Sequence, residues 1–163
     1  LLLGETPELI AQGLVSYQAS GMRQNIYEQD GYQIYADCYN ASPDAMEATL
    51  SVLGGMAGDG RRFAVLGSML ELGDYAEEGH RRAGRAAAQY ADALYAYGPD
   101  AAAMVAGARE KGMEHAYAFD DQTALVAALR EDAKKGDALL FKGSRGMRME
   151  RALAMFLGEE VEA

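Results

Sequence analysis

The chain has 163 residues, 50% of them hydrophobic, which is enough for one sizeable core in the ordinary globular range. A formal net charge of -10 excludes a broad electrostatic attraction to nucleic acid or to an anionic membrane surface, so neither nucleic acid nor membrane insertion is expected. Cys38 is the only cysteine, which rules out an internal disulfide and a C-x-x-C metal or redox pair and fits a reducing cytoplasm.

The opening "LLLGETPELIAQGL" lacks an initiator Met and a basic leader, and its apolar run is too short for a signal peptide or a membrane span. It reads as the cut edge of a longer protein, with a short helix at about Thr6 to Leu14 and a domain boundary near Ser20-Gly21. Next, "NIYEQDGYQIYADCY" places β-rich residues on both sides of Asp30-Gly31, the strongest short hairpin signal, and predicts strands near 23–29 and 32–37. In "NASPDAM", Ser42 suits a helix cap, Pro43 the first helical position and Asp44 the positive end of the helix dipole. Met46, Leu50 and Leu53 then recur with helical period until Gly54-Gly55 weakens the helix.

The same strand-then-helix pattern repeats. "RRFAVLG" is a short buried strand, and "DYAEEGHRRAGRAAAQYA" is a helix with Asp74 and Glu77 at capping-box spacing. "ALYAYG" is a strand; "PDAAAMVAGAREKG" is a helix with Pro99 near its start and Gly112 at its end; "HAYAF" is a strand. The helix "DQTALVAALREDAKKG", the strand "DALLFKG" and the helix "GMRMERALAMFLG" complete the chain. Strands that alternate with helices of this length need crossover connections. The expected fold is therefore a three-layer, Rossmann-like α/β domain: a mainly parallel sheet of about six strands flanked by helices, with an N-terminal β-hairpin.

Ligands of open α/β sheets bind beyond the carboxyl ends of the strands, beside helix N-termini. Residues 36–44, 66–73 and 141–148 end strands with unusual polar or glycine content, and are expected to share one edge. Asp37 can accept hydrogen bonds from ribose hydroxyls and Asn40 can face a base edge, or both can simply close an Asx-type turn. Cys38 reads as a small strand residue, not a nucleophile. Between Gly67 and Gly73, Ser68 and Glu71 either face a ligand or ride on a loop whose Met69, Leu70 and Leu72 plug the core. Lys142, Arg145, Arg148 and Arg151 are four of 15 basic residues, set within ten positions. Cations at a helix N-terminus oppose its dipole, so Lys142 and Arg145, with the N-H groups of Ser144 to Met147, point to a bound anion; Arg151 belongs to a solvated face. No G-x-x-x-x-G-K-[ST] loop and no G-x-G-x-x-G after a strand is present, so any nucleotide phosphates must be gripped by other residues.

Together, "DCYNASPDAM", "AVLGSMLELG" followed by "EEGH", and "KGSRGMRMER" resemble in order and spacing the carboxyl-terminal domain of the Mur ligases, from about residue 5 to residue 157. The last motif is most similar to the branch that joins D-alanyl-D-alanine to a UDP-N-acetylmuramoyl-tripeptide. The resemblance implies an ATP-dependent amide-bond ligase of peptidoglycan synthesis: ATP phosphorylates the tripeptide carboxylate, and the dipeptide amine attacks the acyl phosphate. It implies that residues 1–20 are the tail of a central ATPase domain and that 21–163 are the closing C-terminal domain, inactive alone. Arg23, Asp37 and Asn40 would hold the adenosine of ATP, while Ser68, Lys142, Ser144 and Arg145 would line the dipeptide site. No catalytic residue and no metal ligand is assigned here, the Mg²⁺ ligands being expected in the central domain. The implied partners are D-alanyl-D-alanine, the UDP-tripeptide and the protein's own N-terminal and central domains, in a monomer. Ser42, Ala45 and Ser68 stand where the family has Asn, Ser and Asp, and Cys38 where Ser is common. A free-standing Rossmann-like module that senses a nucleotide or anion, and a purely structural interaction domain, are the competing readings.

Overall fold

Asp30 and Gly31 both take positive φ, 53° and 85°, the pair of left-handed residues that a two-residue hairpin turn requires. They join β1 (Asn25–Gln29) to β2 (Tyr32–Asp37) with Asn25 opposite Ala36, in a computed structural model that describes residues 23–56 and 58–160 besides Thr6 and Leu9. The helix expected at 6–14, those two positions apart, and the boundary at Ser20-Gly21 lie outside the described residues. β1 begins two residues later than the β-rich pattern predicts. Gln24 takes φ 52°, and its N-H turns to Asp37 Oδ1 at 3.4 Å instead of entering the ladder.

After the hairpin the elements follow the predicted order. They are α1 (Pro43–Gly54), β3 (Arg62–Gly67), α2 (Ala76–Tyr90), β4 (Ala93–Tyr97), α3 (Ala101–Glu110), β5 (Ala116–Phe119), α4 (Gln122–Asp132), β6 (Ala138–Lys142) and α5 (Met149–Leu157). The sheet order is β1-β2-β6-β3-β4-β5, and every pairing beyond the hairpin is parallel. Strand alternation divides the core in two. Ala64, Leu66, Leu94 and Leu140 face α1, α2 and α3, whereas Phe63, Val65, Leu139 and Phe141 face α4 and α5.

Ser42 caps α1 as its sequence predicts, its Oγ accepting the Ala45 N-H at 3.3 Å, and Asp121 caps α4 in the same way. Two other helix starts differ from expectation. Asp74 and Glu77 form no capping box, because residues 73–75 already wind as a 3-10 turn and Tyr75 precedes α2 in a helical conformation, not the extended one a cap needs. The last helix is broken near its start: residues 145–147 form a 3-10 turn, Arg148 takes left-handed φ 47°, and α5 begins only at Met149. The Gln122 amide donates to the Met147 carbonyl at 2.8 Å and to the Arg148 carbonyl at 3.2 Å, the latter also accepting the Arg151 N-H at 2.9 Å.

Candidate functional site

Parallel register brings the three polar strand ends to one rim, with Asp37 opposite Lys142, Lys142 opposite Leu66 and Gly67 opposite Tyr97. There the chain leaves β2 and β3 toward the α1–α3 layer but leaves β6 toward the α5 layer. Such divergence opens a crevice, here one on each side of β6.

Between β2 and β6 the crevice is open. A cleft of about 360 Å³ is lined by Arg23, Gln24, Asp37, Tyr39, Asn40 and Lys142 among others. At its floor the Lys142 ammonium donates to Asp37 Oδ2 at 2.6 Å and to the Asn40 carbonyl at 2.8 Å, with only 2% of the lysine side chain exposed. Burial at this depth requires such pairing, since an uncompensated ammonium in a low-dielectric site is costly. On the rim, the Arg23 guanidinium lies over the Tyr39 ring, 3.9 Å from its centroid. Asn40 Oδ1 accepts the Ala41 N-H at 2.9 Å, so this carboxamide does help close the turn before α1, while Asp37 is engaged by Lys142 and Gln24. Beneath, burial pushes the Cys38 thiol up to about 12, aided by the nearby Glu150 charge, and its Sγ lies 3.4 Å from the Phe141 carbonyl. That thiol is inert as a nucleophile at neutral pH.

Between β6 and β3 the crevice is sealed. A Cβ on Gly143 would lie 3.1 Å from Gly67 Cα, and one on Gly67 would lie 2.8 Å from Met149 Sδ, so glycine permits this close approach. The Ser144 N-H donates to the Ser68 carbonyl at 3.3 Å, and Ser144 Oγ accepts the Leu70 N-H at 2.9 Å. Ser68 is fully buried, its Oγ accepting the Asp100 N-H at 3.0 Å. The hydroxyls of Ser68 and Ser144 are thus both turned into the fold.

The basic run meets the chain's own carboxylates. Lys142 pairs with Asp37, and Arg145 donates to Glu150 Oε1 at 2.8 Å. The internal anions remove the electrostatic need, inferred from the dipole, for an external one. Arg145 nevertheless differs from Lys142, because its side chain is 62% exposed and directs the rest of its donor fork to solvent. Arg148 and Arg151 are exposed. Glu150 Oε2 is buried without a hydrogen-bond partner among the described residues; its place in the first turn of α5 lets the helix dipole offset that burial.

Two residues of the site carry no local signal. His80, in "EEGH", is fully buried and bonds the 68–72 loop; Glu150 pairs with Arg145 only because the helix breaks between them. Among the described residues, no group of three or more His, Cys, Asp or Glu is placed to hold a metal ion, and no helix is long and apolar enough to cross a membrane.

A family model described as Mur ligase, glutamate ligase domain, matches residues 22–145. The UDP-N-acetylmuramoyl-tripeptide--D-alanyl-D-alanine ligase of Bacillus subtilis is 37% identical over 150 residues, covering 90% of this chain and 33% of the relative. The crystal structure of MurF ligase from Thermotoga maritima in complex with ADP superposes with a TM-score of 0.82 at 34% identity, covering 97% of this chain and 35% of that one. A MurF structure from Acinetobacter baumannii gives 0.85 at 30% identity, covering 96% and 35%. The chain spans about a third of the length of these relatives. On the family match and on the shared six-stranded architecture, the chain belongs to the Mur ligase family, as its C-terminal domain.

Proposed function

We propose that this chain is the closing domain of an ATP-dependent ligase that adds D-alanyl-D-alanine to UDP-N-acetylmuramoyl-tripeptide in peptidoglycan synthesis. On this reading residues 1–20 belong to the tail of a central ATPase domain and 21–163 form the domain itself. The observation that supports it most is the meeting of Asp37, Asn40 and Lys142 in an open cleft at the carboxyl edge of the sheet, under the Arg23–Tyr39 pair.

Arg23, Asp37 and Asn40 bind the adenosine. Among the described residues, Asp37 Oδ1 accepts only the long Gln24 bond, which leaves lone-pair capacity for a ribose hydroxyl. The cleft suits a nucleoside better than a triphosphate, since its one buried cation is already neutralised by Asp37. Phosphate and Mg²⁺ contacts therefore fall to the central domain. Arg145 meets the dipeptide carboxylate, exchanging Glu150 for it, while Lys142, Ser68 and Ser144 hold the supporting loops in register below. ATP supplies the phosphoryl group that turns the tripeptide carboxylate into an acyl donor. This chain contributes orientation, bringing base and amine to chemistry seated on the neighbouring domains when they close together.

The test is ADP release by the complete protein in the presence and absence of each partner. Release that needs both UDP-tripeptide and D-alanyl-D-alanine is expected; release indifferent to the dipeptide overturns the reading. ATP binding of micromolar or tighter affinity by the 163-residue chain alone would favour a free-standing nucleotide module.

A further inference from the structure

His80 sits in the first turns of α2, fully buried, with both ring nitrogens engaged. Its Nε2 lies 2.8 Å from the Met69 N-H and its Nδ1 lies 2.6 Å from the Ala76 carbonyl. A backbone N-H can only donate, so Nε2 carries the lone pair and Nδ1 the proton, which it donates to Ala76. The ring is neutral in this arrangement, and the Asp100 carboxylate 3.7 Å from Nε2 makes no ion pair with it.

β3 ends at Gly67, and the next three N-H groups go to three different elements: Ser68 to the Tyr97 carbonyl at the end of β4, Met69 to His80 on α2, and Leu70 to Ser144 Oγ beyond β6. The middle tie is the one made by a side chain from the helix layer. Past it, Leu70 leaves the core and its side chain covers Gly146, where an added Cβ would lie 2.8 Å from Leu70 Cδ1. Gly146 adjoins Arg145, so the position of Met69 reaches the backbone beside the exposed guanidinium through Leu70 and Gly146.

We infer that His80 is a positioning residue for acceptor binding: by taking the Met69 N-H it holds the 68–72 loop against the 143–147 turn and so sets where Arg145 meets the dipeptide. This rests on the proposed ligase reading, but it concerns a residue that touches neither substrate. A residue of the core alone would affect ATP and dipeptide alike, whereas a positioning residue for this loop acts on the dipeptide side.

The experiment uses the complete protein with three variants. His80→Phe fills the volume without an acceptor, His80→Gln restores an oxygen at the position of Nε2, and Arg145→Ala reports on the reading itself. His80→Phe is expected to raise the KM for D-alanyl-D-alanine about tenfold, the loss that follows when one buried N-H is left unmatched, with the KM for ATP changed less than about twofold. His80→Gln is expected to recover most of the dipeptide KM, and hydrogen exchange of the 68–72 backbone is expected to speed up in His80→Phe but not in His80→Gln. Wild-type dipeptide KM in His80→Phe, equal shifts for ATP and dipeptide, or no rescue by Gln overturns the inference while Arg145→Ala still impairs dipeptide use. If Arg145→Ala has no effect on dipeptide use, the ligase reading fails first.

Discussion

The two crevices beside β6 arise from one topological feature and end in opposite states. Where β2 meets β6, Asp37 and Lys142 stand opposite each other, and their charged side chains prop the walls apart and floor a cleft. Where β6 meets β3, Gly67 and Gly143 have no side chains to intervene, and the loops close with serine hydroxyls and Met149 filling what remains. The comparison teaches that divergence of connections licenses a site at a strand switch but does not open one. Side-chain volume at the last strand positions decides whether a crevice is a pocket or a seam.

Lys142→Met should break the open side most severely, because it leaves the buried Asp37 carboxylate without its counter-charge. A loss of about 3–5 kcal/mol in urea denaturation is expected, the usual cost of removing one partner of a buried pair. Asp37→Asn with Lys142→Met should recover part of that loss, and no recovery would mean that the pair is not coupled. On the sealed side Gly143→Ala forces a Cβ to within 2.8 Å of Met149 Cγ, so a loss of about 1–3 kcal/mol is expected by the same measurement. A neutral result would show that the seam can widen.

The opposite edge of the sheet gives a control whose electrostatics are already complete. Arg61 pairs with Asp132 and Arg62 with Asp92, and hydrogen bonding by these arginines holds both carboxyls below the usual range. Carboxyls with lowered folded values add stability above the unfolded value, near pH 4, and lose it as pH falls through the lower folded value. The denaturation midpoint should drop as pH falls below the unfolded carboxylate value of about 4, and Asp92→Asn should flatten that slope. The smallest effect on stability is expected from Arg145→Ala, whose exposed pair with Glu150 is worth at most about 1 kcal/mol. On the proposed ligase reading, its consequence should appear instead as a raised KM for D-alanyl-D-alanine in the complete protein.

Much of this protein was determined by local pattern. The switch from a period of two to a helical period, the Asp30-Gly31 turn and the Ser42 cap name the elements, because each depends on neighbours within a few residues. The α/β alternation then forces a parallel sheet, and parallel strands send Asp37, Gly67 and Lys142 to the same rim, so the shared rim of the candidate site was legible too. Partners were not. Lys142 and Arg145 read alike as cations for a bound anion, yet one is buried on a carboxylate 105 positions away and the other is exposed over a break in its own helix. His80 gave no local sign of its bond to Met69, and nothing in the glycines announced that Gly67 and Gly143 would meet. Such contacts join segments that only the packed sheet brings together, and burial, which sets what a charge or hydroxyl can reach, is a property of the whole fold and is not encoded in any short stretch of chain.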